Sequence, residues 1–140
     1  MKVDTHWKIV ARLALSALLT FVSCSTLAAW MTVGSDDNTT AFADPVTIRR
    51  QVDMVKMWSL IDFGTARVPP GGKQYAYRSS KSKYEYDCKE ERVRALSFSW
   101  HSANMGKGKV VYSTAKPGMW EPVAPDTFAW QLWQFACAKR

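Results

Sequence analysis

Histidine and cysteine are scarce in this sequence: its 140 residues hold two of the first and three of the second. Cys24, Cys88 and Cys137 lie far apart, so there is no CxxC pair from which to draw a zinc ribbon or a thioredoxin-like redox motif. His101 is the one histidine outside the N-terminal segment, and with two cysteines it supplies only part of a tetrahedral ligand set. No GxSxG elbow occurs. The GKGK run at 106–109 lacks the upstream glycine and the following Ser or Thr of a phosphate loop, and reads as a turn. The carboxylates Glu90 and Glu91 sit in a charged turn, where solvation is the ordinary role. Nothing here sets a nucleophile beside a base and an orienting acid. The chain is therefore read as a non-enzyme with no cofactor and no metal, and His101 as a surface residue at a strand end.

Long hydrophobic runs are missing too. The most apolar stretch, LALSALLTFV from Leu13 to Val22, is short of the roughly 20 residues a membrane-spanning helix needs. Lys2 and Lys8 precede it and small residues follow, the plan of a secretory signal peptide, although Arg12 interrupts the basic-then-apolar order. Thr26-Leu27-Ala28 places the cut after Ala28, which assigns residues 1–28 to the leader and 29–140 to the exported domain. A second route runs through Phe21-Val22-Ser23-Cys24, which resembles a lipoprotein signal in which Cys24 is lipidated. Phe21 stands where Leu is usual, and the tether before the first strand would be very short, so the soluble product is favoured. Either route exports the chain, to the periplasm or the cell surface, the second as an outer-membrane lipoprotein.

Basic runs are short as well, none longer than a pair such as Arg49-Arg50, and there is no internal repeat or low-complexity segment. Without the leader, about 112 residues remain, enough for one domain with one core. Lys and Arg then outnumber Asp and Glu by sixteen to eleven. A basic, aromatic-rich domain can serve nucleic acid, polyanionic glycan or anionic lipid. Scattered charge argues instead for a solvated surface, and no nucleic-acid partner is expected.

What is present is mostly strand. AWMTVGS, from Ala29 to Ser35, ends in the turn formers GSDDN. Thr40 to Ala43 leads to Asp44-Pro45, where proline is expected to end regular pairing. Val52 to Phe63 is apolar on both faces: Val52, Met54, Trp58 and Leu60 on one, Val55, Met57, Ile61 and Phe63 on the other. GTARVPPGGK reads as a loop. From Tyr75 the alternation is clean, with Tyr84, Tyr86 and Cys88 on a covered face and Lys83, Glu85 and Asp87 on a wet one. KEER turns the chain into Val93 to His101, NMGKG connects a hairpin, and Lys109 to Thr114 returns. Trp58, Trp100, Trp130 and Trp133 are read as core.

The last segment changes period. Asp126 is placed as the cap of a helix from Thr127, with Phe128, Leu132, Phe135, Ala136, Ala129, Trp133, Cys137 and Trp130 on one broad apolar arc. Lys139 and Arg140 suit its negative pole. Such a helix must lie on the sheet. Export removes Cys24 and favours oxidation of the remaining thiols. Cys88 and Cys137 both face the interior, so a disulfide between them would staple sheet to helix. Closing a loop of roughly fifty residues contributes about 4 kcal/mol in the chain-entropy account.

The order of AWMTVGS, FADPVTIRR, VKMWSLIDF, YRSSKSKYEYDC, NMGKGKVV, MWEPVAPDT and WQFAC resembles the bacterial surface-adhesin protein E family over essentially the whole mature chain. The most specific parts are Asp87-Cys88, the glycine hairpin before Val110-Val111, and Trp120-Glu121-Pro122-Val123 followed by a helical cysteine. The resemblance implies an α+β fold: a single antiparallel β-sheet of about six strands, with a C-terminal α-helix packed on its concave face and tied by a disulfide that maps onto Cys88 and Cys137. It implies a surface protein that binds host matrix proteins and plasminogen, and it carries over no binding residues. The alternative is a periplasmic envelope protein, structural or holding a small apolar ligand between sheet and helix. Arg49, Arg50, Lys81 and Lys83, on wet faces, are the expected first contacts for an anionic partner, and pairing of sheet edges into a homodimer is left open.

Overall fold

A computed structural model describes residues 29–69, 71 and 75–138; Cys24, Lys139 and Arg140 lie outside the described residues. Strands β1 (Met31–Ser35), β2 (Thr39–Gln51), β3 (Met54–Arg67), β4 (Tyr77–Asp87), β5 (Arg92–His101) and β6 (Val110–Thr114) form one antiparallel sheet in sequence order. A two-residue strand, β7 (Glu121–Pro122), pairs with Arg92 and Val93 of β5, and helix α1 (Phe128–Cys137) closes the chain. This is the expected α+β arrangement, with the disulfide formed between Cys88 and Cys137.

Period-two alternation sorts the sheet into two faces. Val55 and Met57 of β3, Ala43 of β2 and Tyr86 of β4 point to one side, where Leu132 and Ala136 of α1 complete the core. Leu132 and Ala136 are one helical turn apart, so one stripe of α1 meets the sheet. The helix lies mainly across β1 to β4, and Val93 of β5 packs at the margin of the same core. Small residues permit the close approach: Ala41 and Ala43 are fully buried, and a Cβ on Gly34 would meet the Gln131 side chain at 1.7 Å.

Leu60, on the opposite face, is also fully buried. Its cover is the connection expected to be a simple hairpin, which folds back as a short 3-10 turn, Asn104–Gly106. The Asn104 side chain donates to the Asp62 carboxylate (3.1 Å) and to the Phe63 carbonyl (2.9 Å), and the Met105 N–H donates to Asp62 (2.7 Å). Ser79 Oγ accepts from Gly106 N–H and donates to the Ala103 carbonyl. Gly106 has φ 67°, and a Cβ there would crowd Leu60.

Four expectations are corrected. Pro45 does not end its strand: β2 runs through it, with the register shifting between Asp44 and Arg49. The Thr47 hydroxyl spans that bulge, donating to the Asp44 carbonyl (2.7 Å) and accepting from the Trp58 N–H (3.0 Å), so pairing resumes beyond it. Val52 is not in a strand; it occupies the β2–β3 turn at φ 54° and is exposed. β3 instead continues to Arg67, through residues read as loop. Finally, Asp126 is not the cap: Thr127 is, its hydroxyl accepting from the Trp130 N–H (3.1 Å) and donating to the Ala124 carbonyl (2.7 Å).

Candidate functional site

The C-terminal end of α1 is tied to the sheet by three different bonds. The disulfide joins Cys137 to Cys88, with their Cα atoms 5.6 Å apart. Arg50 reaches over from β2 and donates to the carbonyls of Ala136 (2.9 Å) and Ala138 (3.1 Å), where the helix ends with unpaired acceptors and the negative pole of its dipole. Trp133 Nε1 donates to the Asp87 carbonyl (3.2 Å), next to Cys88. Trp130 stacks on Trp133, their ring centroids 5.1 Å apart.

The other end is held differently. Beneath Phe128, Ala129 and Leu132 a cavity of about 580 Å³ opens between helix and sheet. Ile61 and Phe63 of β3, Tyr77, Tyr84 and Tyr86 of β4, and Val93 of β5 form its floor, with Asp36, Arg67 and Glu121 at its margins. Burial pushes the Tyr84 and Tyr86 hydroxyls above the ordinary tyrosine value; the nearby charge of Glu121 adds to this at Tyr84. Both remain neutral donors at physiological pH.

From that cavity a series of rings runs out to the edge strand. Phe63 meets Tyr77 edge-on, Tyr77 stacks on Trp100 at 4.6 Å and 7°, and Trp100 packs on Tyr112 (4.9 Å) and Phe98 (5.6 Å). Tyr112 is 43 % exposed, so the strip ends in solvent. The four tryptophans read as core are all half-buried. Trp100 belongs to this strip, and Trp58 lies on the opposite face beneath Lys81 (5.2 Å).

That opposite face carries charge in register. Arg49, Lys56, Glu85 and Arg94 stand side by side across β2 to β5. Glu85 was read as wet, yet it is buried, paired with Arg94 (2.6 Å) and Lys56 (3.6 Å). Asp87 is buried as well, paired with Arg92 (3.0 Å). Burial works to raise the Asp87 carboxyl, but the Glu90 N–H, the Arg92 guanidinium and the Lys89 N–H outweigh it and hold the group below its ordinary value. Trp120 covers both guanidinium groups, 4.9 Å from Arg92 and 4.6 Å from Arg94.

The residues singled out from sequence thus separate. Cys88 and Cys137 are joined. Lys81 and Lys83 share the face opposite the helix with Arg49, while Arg50 is committed to the helix end. His101 is not a surface residue: it is buried, pairs through Nε2 with Ser99 Oγ (2.9 Å), and its Nδ1 has no partner. Burial, with the charge of Lys81, holds its pKa below the ordinary imidazole value. No carboxylate bonds Nδ1, so Ser99 and His101 lack the orienting third group of a triad. Among the described residues no cluster of His, Cys, Asp and Glu has the makings of a metal site, and no helix is long and apolar enough to cross a membrane.

The sequence raised a space between sheet and helix only as the alternative reading and did not name its lining. The alternation put Phe63 on the face of Ile61, and Tyr84 on that of Tyr86, but the helix that roofs them comes from the far end of the chain.

Comparison with known proteins agrees with this architecture. A profile of the family described as surface-adhesin protein E matches residues 30–138. No curated protein matches the sequence. Among solved structures, crystal form II of Haemophilus influenzae protein E is similar, with 13 % identity, a TM-score of 0.60, and coverage of 79 % of this chain and 88 % of that one. The selenomethionine form of the same protein gives 16 % identity, a TM-score of 0.58, and coverage of 79 % and 87 %. A structure of protein E from a non-typeable strain gives 16 % identity, a TM-score of 0.54, and coverage of 79 % and 76 %.

Proposed function

This chain belongs to the surface-adhesin protein E family, and from that premise we propose that it is an exported, non-enzymatic binding protein that engages host proteins at the cell surface. The observation that carries the proposal is the family match, which spans the whole stapled domain. Matrix proteins and plasminogen are the partners this reading assigns.

The face opposite the helix is the contact surface we assign to an anionic partner. Arg49, Lys56, Lys81 and Lys83 lie there, each on a strand paired with its neighbour, so the charges are held on rigid backbone rather than on loops. Glu85 is balanced by Arg94 and Asp87 by Arg92, which leaves the charge of Lys56, 3.6 Å from Glu85, in surplus on this face. The expectation for Arg50 is revised accordingly: its place is the helix end, and Lys56 takes its part on this face.

Residues 1–28 serve in this reading as the secretory leader, removed after Ala28 to release a domain of residues 29–140. Intact-mass measurement of the exported protein checks the cut. A mass beginning at Cys24 with acyl chains attached replaces it with the lipoprotein route.

The test of function is binding of the exported protein to immobilised matrix proteins, plasminogen and heparin, beside a charge-matched control, with protease accessibility on whole cells. Binding should weaken as salt rises, since screening shortens to about 8 Å at physiological strength. Lys81→Glu with Lys83→Glu should weaken it further. No binding above the control, with no accessibility on whole cells, leaves the periplasmic reading in its place. That second reading is favoured by one observation, the cavity between sheet and helix.

A further inference from the structure

The contact surface assigned above lies on the face away from α1 and makes no use of the cavity. We propose that this cavity is a binding site for a small anionic amphiphile, an elongated apolar body ending in one carboxylate. Its volume of about 580 Å³ falls within the range of roughly 300–1,000 Å³ usual for small-molecule sites. Most of its wall is apolar or aromatic, from Ile61, Phe63, Tyr77, Phe128 and Leu132.

Register gives the cavity its polarity. Arg67 pairs with Tyr77, at the start of β4. Glu121 pairs with Val93, which in turn pairs with Tyr86, near the end of the same strand. From Tyr77 to Tyr86 is roughly 30 Å of strand at about 3.3 Å per residue. The cation and this acid therefore stand at opposite ends of a long apolar floor. A ligand with charge at one end only is sorted by such a site: its acid belongs at Arg67, and Glu121 opposes the reversed orientation.

Arg67 is suited to that role. Its guanidinium lies 5.0 Å from the Phe63 ring centroid, and it forms no ion pair among the described residues. Asp36 is the other charged group on the cavity margin and stands at the Arg67 end, since Thr39 pairs with Phe63. Its Oδ1 is turned into the β1–β2 connection, where it accepts from the N–H groups of Asn38 (2.8 Å) and Thr39 (2.7 Å), and it forms no ion pair with Arg67. A planar guanidinium held on an aromatic ring offers a carboxylate two parallel donors. The apolar body meets the rings, where burial from water drives binding.

The experiment uses the exported chain with its disulfide intact and three twelve-carbon probes, laurate, dodecanol and dodecylamine, titrated below their micelle concentrations. Laurate should bind saturably at one site, at least tenfold tighter than dodecanol, with dodecylamine weakest. Arg67→Glu should abolish that tenfold preference and leave dodecanol binding unchanged; Arg67→Lys should restore part of it. Ala129→Trp, which fills the roof from an exposed helix position, should weaken both ligands at least tenfold while the disulfide still forms. Laurate binding no tighter than dodecanol, non-saturable uptake, or a preference indifferent to Arg67→Glu would overturn the proposal. Binding of host proteins is measured separately, through the lysines of the other face, so failure of one reading is not failure of the other.

Discussion

The two ends of α1 solve different problems with the same ten residues. At the C-terminal end Cys137, Ala136 and Trp133 meet the sheet through a covalent bond, an arginine on the terminal carbonyls and an indole hydrogen bond. At the N-terminal end Phe128 and Ala129 roof a cavity, and the backbone is held by the Thr127 cap. An isolated helix of this length is marginal in water. The held end therefore supplies the stability that allows the other end to stand over open space. A small domain that covered its whole sheet face tightly would have no cavity there, and one without the staple would not keep the roof.

The largest test of this contrast is Cys137→Ser. Loss of a disulfide closing a 49-residue separation should lower stability by about 4 kcal/mol, read as the shift in chemical denaturation midpoint, and should expose α1 to protease before the sheet. Arg50→Ala comes next. It removes two charged hydrogen bonds from the helix C-terminus, with an expected loss of about 1.5 kcal/mol measured in the same way. At the other end, Thr127→Ala removes the cap and should lower stability by about 1 kcal/mol. If that change outweighs Arg50→Ala, the assignment of holding and covering ends is reversed.

Acid should act more weakly, and on the opposite face and the held end. The pKa of His101 is depressed in the fold, so the folded state binds fewer protons than the unfolded chain. Its contribution is complete above the unfolded value of about 6.5 and is lost as pH falls below it. Asp87 is depressed too, so its contribution is present above about 3.9 and is lost as pH falls toward the lower folded value. Denaturation followed against pH should show both steps with the same sign; His101→Gln removes the first and Asp87→Asn the second.

The sequence made the held end legible and left the covering end hidden, for a physical reason. Period two put Cys88 with Tyr84 and Tyr86, and the helical arc put Cys137 inward; each pattern is local, so each could be read in its own segment. Arg50 could not be placed that way, because its acceptors lie at Ala136 and Ala138, far along the chain. Glu85 and Asp87 looked solvated because their partners, Arg94 and Arg92, come from the next strand, and only register brings them together. Pro45 looked like a strand end because the Thr47 hydroxyl that spans the bulge is a tertiary feature. The cavity combines both difficulties: its sheet side is assembled from several strands and its roof from a helix distant in sequence.

Backbone hydrogen exchange in the oxidised chain tests the division of α1 most directly. The amides of Ala136, Cys137 and Ala138 should exchange at least tenfold more slowly, relative to their unfolded rates, than those of Gln131 and Leu132, and Cys137→Ser should erase the difference. Equal protection along the helix in the oxidised protein, or stronger protection at its first turns, would contradict the account.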